Sequence, residues 1–308
     1  MMTPTPNDPA QNTLEIRNLN LRLPNGVRLL RDVSLTLKAG EVRALVGESG
    51  AGKSMIGKAV LGILPPNIGM ASGEILLNGV DLGSLSLKKR RETVAQISAL
   101  IPQDPLTALN PVRKIGPQII DPLIRIHGWS QPRALARARA LLERVHIRAP
   151  ERVMTSYPHE LSGGMRQRIL IAAAFAPSPR LIVADEPTTA LDVTVQKQIL
   201  RLIRALQSET GTAVLFVTHD MGVVAKISQE VTVLFAGRVL EDAPTRTIFN
   251  AAAHPYTRAL IAATPTPHVT QNPFQPVPPA LIDALWAETA QADADFARQS
   301  TRFGRITR

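Results

Sequence analysis

Gly47-Glu48-Ser49-Gly50-Ala51-Gly52-Lys53-Ser54 is the stretch that decides the fold of this chain. It fits G-x-x-x-x-G-K-[ST], the phosphate-binding P-loop. A stretch suited to a strand, Val42–Val46, precedes it, and one suited to a helix, residues 53–64, follows. That strand–loop–helix context is what the motif requires. Backbone N–H groups of the loop and the N-terminus of the helix form a cradle for phosphate oxygens. Lys53 suits the β- and γ-phosphates of a nucleoside triphosphate, and Ser54 offers a hydroxyl to Mg²⁺. The glycines let phosphates approach without a Cβ in the way. A glycine-rich turn with no ligand is the plainer interpretation, and the Gly-Lys-Ser ending in this context counts against it. The loop alone does not say what the energy of the triphosphate is used for.

The 308 residues suffice for one large domain or a domain with appendages. Hydrophobic residues make up 44% and charged residues 19%, so a sizeable core can form. Aromatics, at 4%, argue against a base-stacking surface of the RNA-binding type. The absence of cysteine excludes disulfides, thiolate metal sites and Fe–S clusters. No apolar run reaches the roughly 18–20 residues of a membrane span. Residues 1–12 are polar and proline-bearing, with no apolar signal region. The expectation is a cytoplasmic protein whose membrane association comes through partners. A net charge of +10 and a pI near 10.6 suit an anionic partner. The arginines are nevertheless spread over residues 133–148 and the tail. A solvated basic face and attraction to an anionic membrane surface both stay open, and no specific nucleic-acid partner is expected.

Leu14 and Ile16 alternate with polar residues, as do Val33, Leu35 and Leu37, which predicts half-buried strands. Asn25-Gly26 and Asn78-Gly79 are turn signals. The first hundred or so residues therefore combine an antiparallel β layer with the P-loop strand and helix, and Pro65-Pro66 stops that helix. In residues 104–160, Pro105, Pro111, Pro117, Pro122 and Pro132 are expected to punctuate short segments. Residues 133–145, rich in Ala, Leu and Arg, then predict a helical insertion. Continuous apolar runs at Leu181 to Ala184 and Ala213 to Val217 suit buried parallel strands. Val195, Ile199, Ile203 and Leu206 lie on one side of a helix between them. The fold class is α/β: a P-loop core with a mostly parallel sheet, an antiparallel β subdomain and an inserted helical subdomain. The expected division is 1–103 for the first part of the core with the β subdomain, 104–160 for the helical subdomain, 161–250 for the rest of the core and 251–308 for a C-terminal extension. The proline-rich extension carries one possible helix over residues 280–298.

The apolar run at Leu181 ends in Asp185 and Glu186, which places both carboxylates at a strand end, where α/β sheets put ligand chemistry. Asp185 suits a Mg²⁺ shell, and Glu186 suits polarising the water that attacks a γ-phosphate. Between the P-loop and this strand stands Leu161-Ser162-Gly163-Gly164-Met165-Arg166-Gln167-Arg168. Ser-Gly-Gly opening an apolar helix offers a hydroxyl and free N–H groups to an anion, or simply caps the helix. With these motifs in this order, residues 13–265 resemble the ATP-binding subunits of ABC transporters. The resemblance implies ATP and Mg²⁺ as cofactors. It implies that Leu161, Ser162, Gly163, Gly164 and Gln167 close over ATP held by a second ATP-binding subunit, of different or identical sequence. Gln103 matches the glutamine that touches Mg²⁺ and the attacking water. Ala190-Leu191-Asp192 matches the loop that crosses the dimer interface, and His219 matches the histidine that contacts the γ-phosphate. Family members usually carry an aromatic residue upstream of the P-loop to stack on adenine. Here Val27 occupies that place, which implies apolar contact and weaker base selectivity.

Three strings are similar to the oligopeptide, dipeptide and nickel importer branch: Gln103-Asp104-Pro105-Leu106-Thr107-Ala108-Leu109-Asn110-Pro111, Tyr157-Pro158-His159-Glu160 and His254-Pro255-Tyr256-Thr257-Arg258-Ala259-Leu260. This implies an importer with two membrane permeases, two ATPases and an external solute-binding protein. The chain would be a peripheral ATPase on the cytoplasmic face of the membrane, for peptides or another small solute such as nickel or an opine. Its helical subdomain would receive a coupling helix of a permease. The cysteine-rich segment that many branch members carry near the C-terminus is absent. A soluble ABC ATPase acting on nucleic acid is the alternative from another class; a single cassette with a short insertion counts against it.

Overall fold

Two sheets organise the chain. The computed structural model describes residues 12–189, 191–264 and 276–303; Ala190, the N-terminal residues 1–11 and Pro265, Pro267 and Pro273 lie outside them. The first part runs β1 (Asn12–Arg22), β2 (Arg28–Lys38), β3 (Val42–Val46), α1 (Lys53–Val60), β4 (Gly69–Leu77), β5 (Val80–Asp81), α2 (Leu87–Ile97) and β6 (Ser98–Ile101). Helices follow: α3 (Pro105–Ala108), α4 (Ile115–Arg125), α5 (Gln131–Arg144), α6 (Pro150–Thr155) and α7 (Gly163–Phe175). Alternation then resumes with β7 (Leu181–Asp185), α8 (Val193–Thr210), β8 (Ala213–Thr218), α9 (Met221–Ile227), β9 (Glu230–Phe235) and β10 (Arg238–Pro244). The chain closes with α10 (Thr245–Ala251), α11 (Pro255–Ala262) and α12 (Pro279–Phe303).

The four-stranded sheet has the order β2-β1-β4-β5 and is antiparallel throughout. The six-stranded sheet has the order β10-β9-β3-β8-β7-β6, parallel except for the β9–β10 hairpin. Successive side chains of a strand point to opposite faces, so a continuous apolar run feeds two cores. Leu181 and Val183 join the core shared with β1, β2 and α1. Ile182 and Ala184 join the core shared with α4, α5, α7 and α8. In β8, Leu215 and Val217 go one way and Val214 and Phe216 the other.

No strand interrupts residues 102–180. Ile115, Ile119 and Leu123, four residues apart, bring one stripe of α4 into a core with Ala134, Ala138, Leu141 and Leu142 of α5. The prolines do two different things here. Pro105, Pro132 and Pro150 stand in the first turns of their helices, where no N–H is needed. Pro117 likewise falls in the first turn of α4, while Pro122, expected to break a segment, lies inside that helix instead. Pro122 stands on the exposed side, where water can satisfy the carbonyl that it leaves unpaired. The helix expected over residues 280–298 is present as α12, residues 279–303. Helix α12 folds back: Leu285 is buried, and Asp293 pairs with Arg28 and Arg31 of β2.

Candidate active site

Four parallel strands deliver the site. Ile101 pairs with Ala184, Asp185 with Val217 and Thr218 with Val46, so β6, β7, β8 and β3 end nearly level. Gln103, Asp185 with Glu186, His219 and the P-loop therefore emerge along one edge of the sheet, at the carboxyl ends of its strands.

The P-loop is pressed against its surroundings. A Cβ on Gly47 would stand 2.2 Å from the Leu234 carbonyl oxygen, so only glycine fits there. Lys53 is 5% exposed, and its Nζ donates to the carbonyl oxygens of Gly47 at 2.7 Å and Glu48 at 2.8 Å. Burial pushes the Lys53 ammonium below the ordinary lysine range, against the opposing pull of Glu186, Asp185 and Glu48. Ser54 Oγ donates to Asp185 Oδ1 at 2.8 Å. This hydroxyl and carboxylate are hard oxygen donors of the kind Mg²⁺ takes, one or two from protein and the rest from phosphates and water. Among the described residues no group of three or more His, Cys, Asp or Glu could hold a metal by itself. The residues thus fit a Mg²⁺ ion held jointly with a triphosphate.

Glu186 has a left-handed backbone, φ 44°, uncommon for a residue with a side chain. The turn is held by its N–H, which donates to the Val217 carbonyl at 3.0 Å. The carboxylate is the meeting point of the cluster. Its Oε2 accepts from Thr189 Oγ1 at 2.8 Å and from Gln103 Nε2 at 3.5 Å, and lies 3.3 Å from His219 Nδ1. Lys53, Ser54, Gln103, Glu186 and His219 line one cavity of about 580 Å³ with Gly47, Glu48, Ser49, Gly50 and Gly52. Ala51 is buried beneath the loop. Met55 and Leu260, neither of them a site residue from the sequence alone, line the same cavity. Met55 follows the motif directly; nothing in the sequence pattern marks Leu260 as a neighbour.

Other predicted residues stand apart from this cavity. None of Leu161, Ser162, Gly163, Gly164 or Gln167 lines it. Ser162 is exposed and caps α7, its Oγ accepting the Met165 N–H at 3.4 Å. Leu161 is in the core, and Gln167 is 1% exposed with an Nε2 that has no hydrogen-bond partner among the described residues. Asp192 caps α8, its Oδ1 accepting from the N–H groups of Thr194 and Val195 at 3.0 and 2.9 Å. Val27 is 50% exposed in the turn after β1 and is not among the lining residues.

A P-loop on a parallel sheet, with a carboxylate pair at a neighbouring strand end, defines a P-loop nucleoside triphosphatase. Residues 30–189 match the family described as ABC transporter, and residues 240–285 match the family described as oligopeptide/dipeptide transporter, C-terminal region. The chain is 44% identical over 284 residues to a protein of Sinorhizobium fredii named "Probable peptide ABC transporter ATP-binding protein", covering 91% of this chain and 84% of that one. It is 44% identical over 257 residues to an oligopeptide transport ATP-binding protein of Bacillus subtilis, covering 82% of this chain and 72% of that one. A solved dimeric ATP-binding cassette, in a post-hydrolysis state with ADP and Pi, superposes with a TM-score of 0.65 at 26% identity, over 76% of this chain and 99% of that one. The chain belongs to the ABC transporter family, as an ATP-hydrolysing subunit. No helix among the described residues is long and apolar enough to cross a membrane.

Proposed function

We propose that this chain hydrolyses ATP to drive peptide import through two membrane permeases, working with a second ATP-binding subunit and, indirectly, an external solute-binding protein. The observation that carries the reading is the convergence of Gln103, Thr189 and His219 on one carboxylate oxygen of Glu186, beside the P-loop. The match of residues 240–285 to the oligopeptide/dipeptide C-terminal region supports the cargo class.

In this reading the loop amides and Lys53 bind the β- and γ-phosphates. Ser54 and Asp185, with Gln103, would hold Mg²⁺, which neutralises charge on the phosphates when bound. Glu186 orients and polarises the attacking water, and His219 donates a hydrogen bond to the γ-phosphate. Val27 makes apolar contact with the base once nucleotide is in place. Ser162, Gly163 and Gly164 serve ATP on a partner subunit, across an interface that includes Asp192, while Gln167 is buried behind them. Closing that interface requires ATP to bind the closed dimer better than the open one. The helical subdomain, residues 104–160, receives the permease, and the remaining divisions are 1–103, 161–250 and 251–308. The subunit is peripheral, on the cytoplasmic face of the membrane.

The test is capture of tagged Glu186→Gln protein with ATP and Mg²⁺ from detergent-solubilised native membranes, read by mass spectrometry. Recovery of two permeases and an ATPase is expected. Recovery of soluble or nucleic-acid-associated proteins alone would overturn the transport reading.

A further inference from the structure

The string His254-Pro255-Tyr256 starts α11, and the catalytic cluster does not use it. Its local chemistry aims one side chain. His254 Nδ1 accepts the Tyr256 N–H at 3.1 Å, and Pro255 takes the first helical position. The Glu241 carboxylate of β10 accepts the N–H groups of Ala253 at 2.8 Å and His254 at 3.0 Å, which fixes where the helix begins. Tyr256 is thereby driven fully into the core, 0% exposed, with its ring edge-on to Phe235 at 5.2 Å. Its hydroxyl oxygen accepts the Glu48 N–H at 3.4 Å.

That N–H belongs to the peptide unit whose carbonyl, on Gly47, accepts from Lys53 Nζ at 2.7 Å. One peptide plane of the P-loop is therefore held at both ends, by Tyr256 on one side and by Lys53 on the other. A second line of contacts reaches the middle of the loop. The Ala51 carbonyl accepts the Gly237 N–H at 2.9 Å, and the Gly237 carbonyl accepts the Arg31 N–H at 2.8 Å. Gly237 has φ +74°, and a Cβ on it would meet the Leu29 carbonyl oxygen at 2.1 Å. The Arg31 guanidinium then donates to both oxygens of Asp293, at 2.8 and 2.6 Å. Both lines end on α12, because Phe235 also meets Trp286 edge-on at 5.3 Å.

We propose that helices α11 and α12 position the P-loop for nucleotide, with Tyr256 as the positioning residue. This rests on the reading that the loop binds the phosphates of ATP. The tyrosine touches neither substrate nor reacting atoms. It fixes the orientation of the Gly47–Glu48 peptide before ATP arrives, so that binding does not have to order it. Burial pushes the Tyr256 hydroxyl up to about 12, so it stays protonated at neutral pH. Loss of one neutral hydrogen bond corresponds to about a threefold to tenfold change in affinity.

The experiment is an ATP titration by calorimetry on the purified full chain, in EDTA so that no hydrolysis occurs. Tyr256→Phe keeps the ring and its packing and removes only the hydroxyl. We expect the Kd for ATP to rise about threefold to tenfold, with the melting temperature nearly unchanged. Amide hydrogen exchange in the peptide spanning residues 47–54 should quicken. With Mg²⁺ present, the KM for ATP should rise while kcat holds. Asp293→Ala, which cuts the second line, should move Kd in the same direction by about twofold. Lys53→Ala separates the two ideas. If Lys53→Ala binds ATP as the wild type does, the P-loop reading fails. If Lys53→Ala loses ATP while Tyr256→Phe and Asp293→Ala keep the wild-type Kd and exchange rates, the positioning role alone is overturned.

Discussion

The carboxylate cluster at the strand ends and the segment 161–164 differ in what their side chains face: a shared cavity in one case, solvent in the other. At the strand ends every functional side chain has a partner inside the chain: Ser54 on Asp185, and Gln103, Thr189 and His219 on Glu186. Segment 161–164 exposes Ser162 and Gly163 to solvent at the start of α7, where Ser162 Oγ caps the Met165 N–H. In the proposed function the first region is the catalytic half of the site. The second is an exposed helix N-terminus that does not line the P-loop cavity. On the proposed function, the contrast is the one expected of a site shared between two subunits.

The contrast can be broken most directly at Glu186. Glu186→Gln should lower turnover by about 10²–10⁴-fold, while ATP still binds. Fast hydrolysis by this variant, measured by phosphate release, would remove Glu186 from its assigned role. The next test concerns the outward-facing half. Ser162→Arg should leave ATP binding by the same chain intact and reduce hydrolysis in the assembled complex by about a hundredfold. An unchanged rate in the complex, or a loss of ATP binding in the isolated chain, would collapse the distinction between the two halves.

A third test sharpens what holds the self-contained half together. The folded value for Tyr256 lies near 12, above its ordinary value of 10. Below pH 10 both folded and unfolded chains keep the proton, so the contribution is fully present. As pH rises from 10 toward 12 the unfolded chain releases its proton first, and stability falls by roughly 2–3 kcal/mol. Denaturant melts across that window should show this component in the wild type and lack it in Tyr256→Phe. The smallest effect is expected at Val27. Val27→Tyr adds a ring at the half-exposed turn and should tighten ATP binding by about 1 kcal/mol. No gain in a calorimetric titration would mean that the base does not reach this turn.

Much of this arrangement could be read from the residues, for physical reasons that differ by element. The P-loop and the Leu181–Asp185 strand are local statements: spacing, apolar continuity and a carboxylate at the end carry them. Their shared edge follows from parallel topology. The internal position of Pro122 was not legible, because it depends on which side of α4 faces water. The burial of Gln167 was equally hidden, since its place in the motif says nothing about how α7 packs against its neighbours. Tyr256 and Leu260 lie more than 200 residues beyond the P-loop they approach. Such a contact is fixed by how the start of α11 is anchored to β10, through Glu241 and His254, and no periodicity in either segment encodes it.

The return of α12 onto β2 has one more consequence. Strand β2 is an edge of the four-stranded sheet, and open edges pair readily with other chains. Here the edge is blunted. The Arg31 N–H is spent on Gly237, the register with β1 is broken by irregularities, and the side chains of Arg28 and Arg31 are locked onto Asp293. Phe296 lies flat under the Arg28 guanidinium at 3.9 Å, closing the same flank. Helix α12 thus covers side chains along this edge. A chain cut before Pro279 should expose this edge and aggregate in light scattering at concentrations where the full chain stays monodisperse.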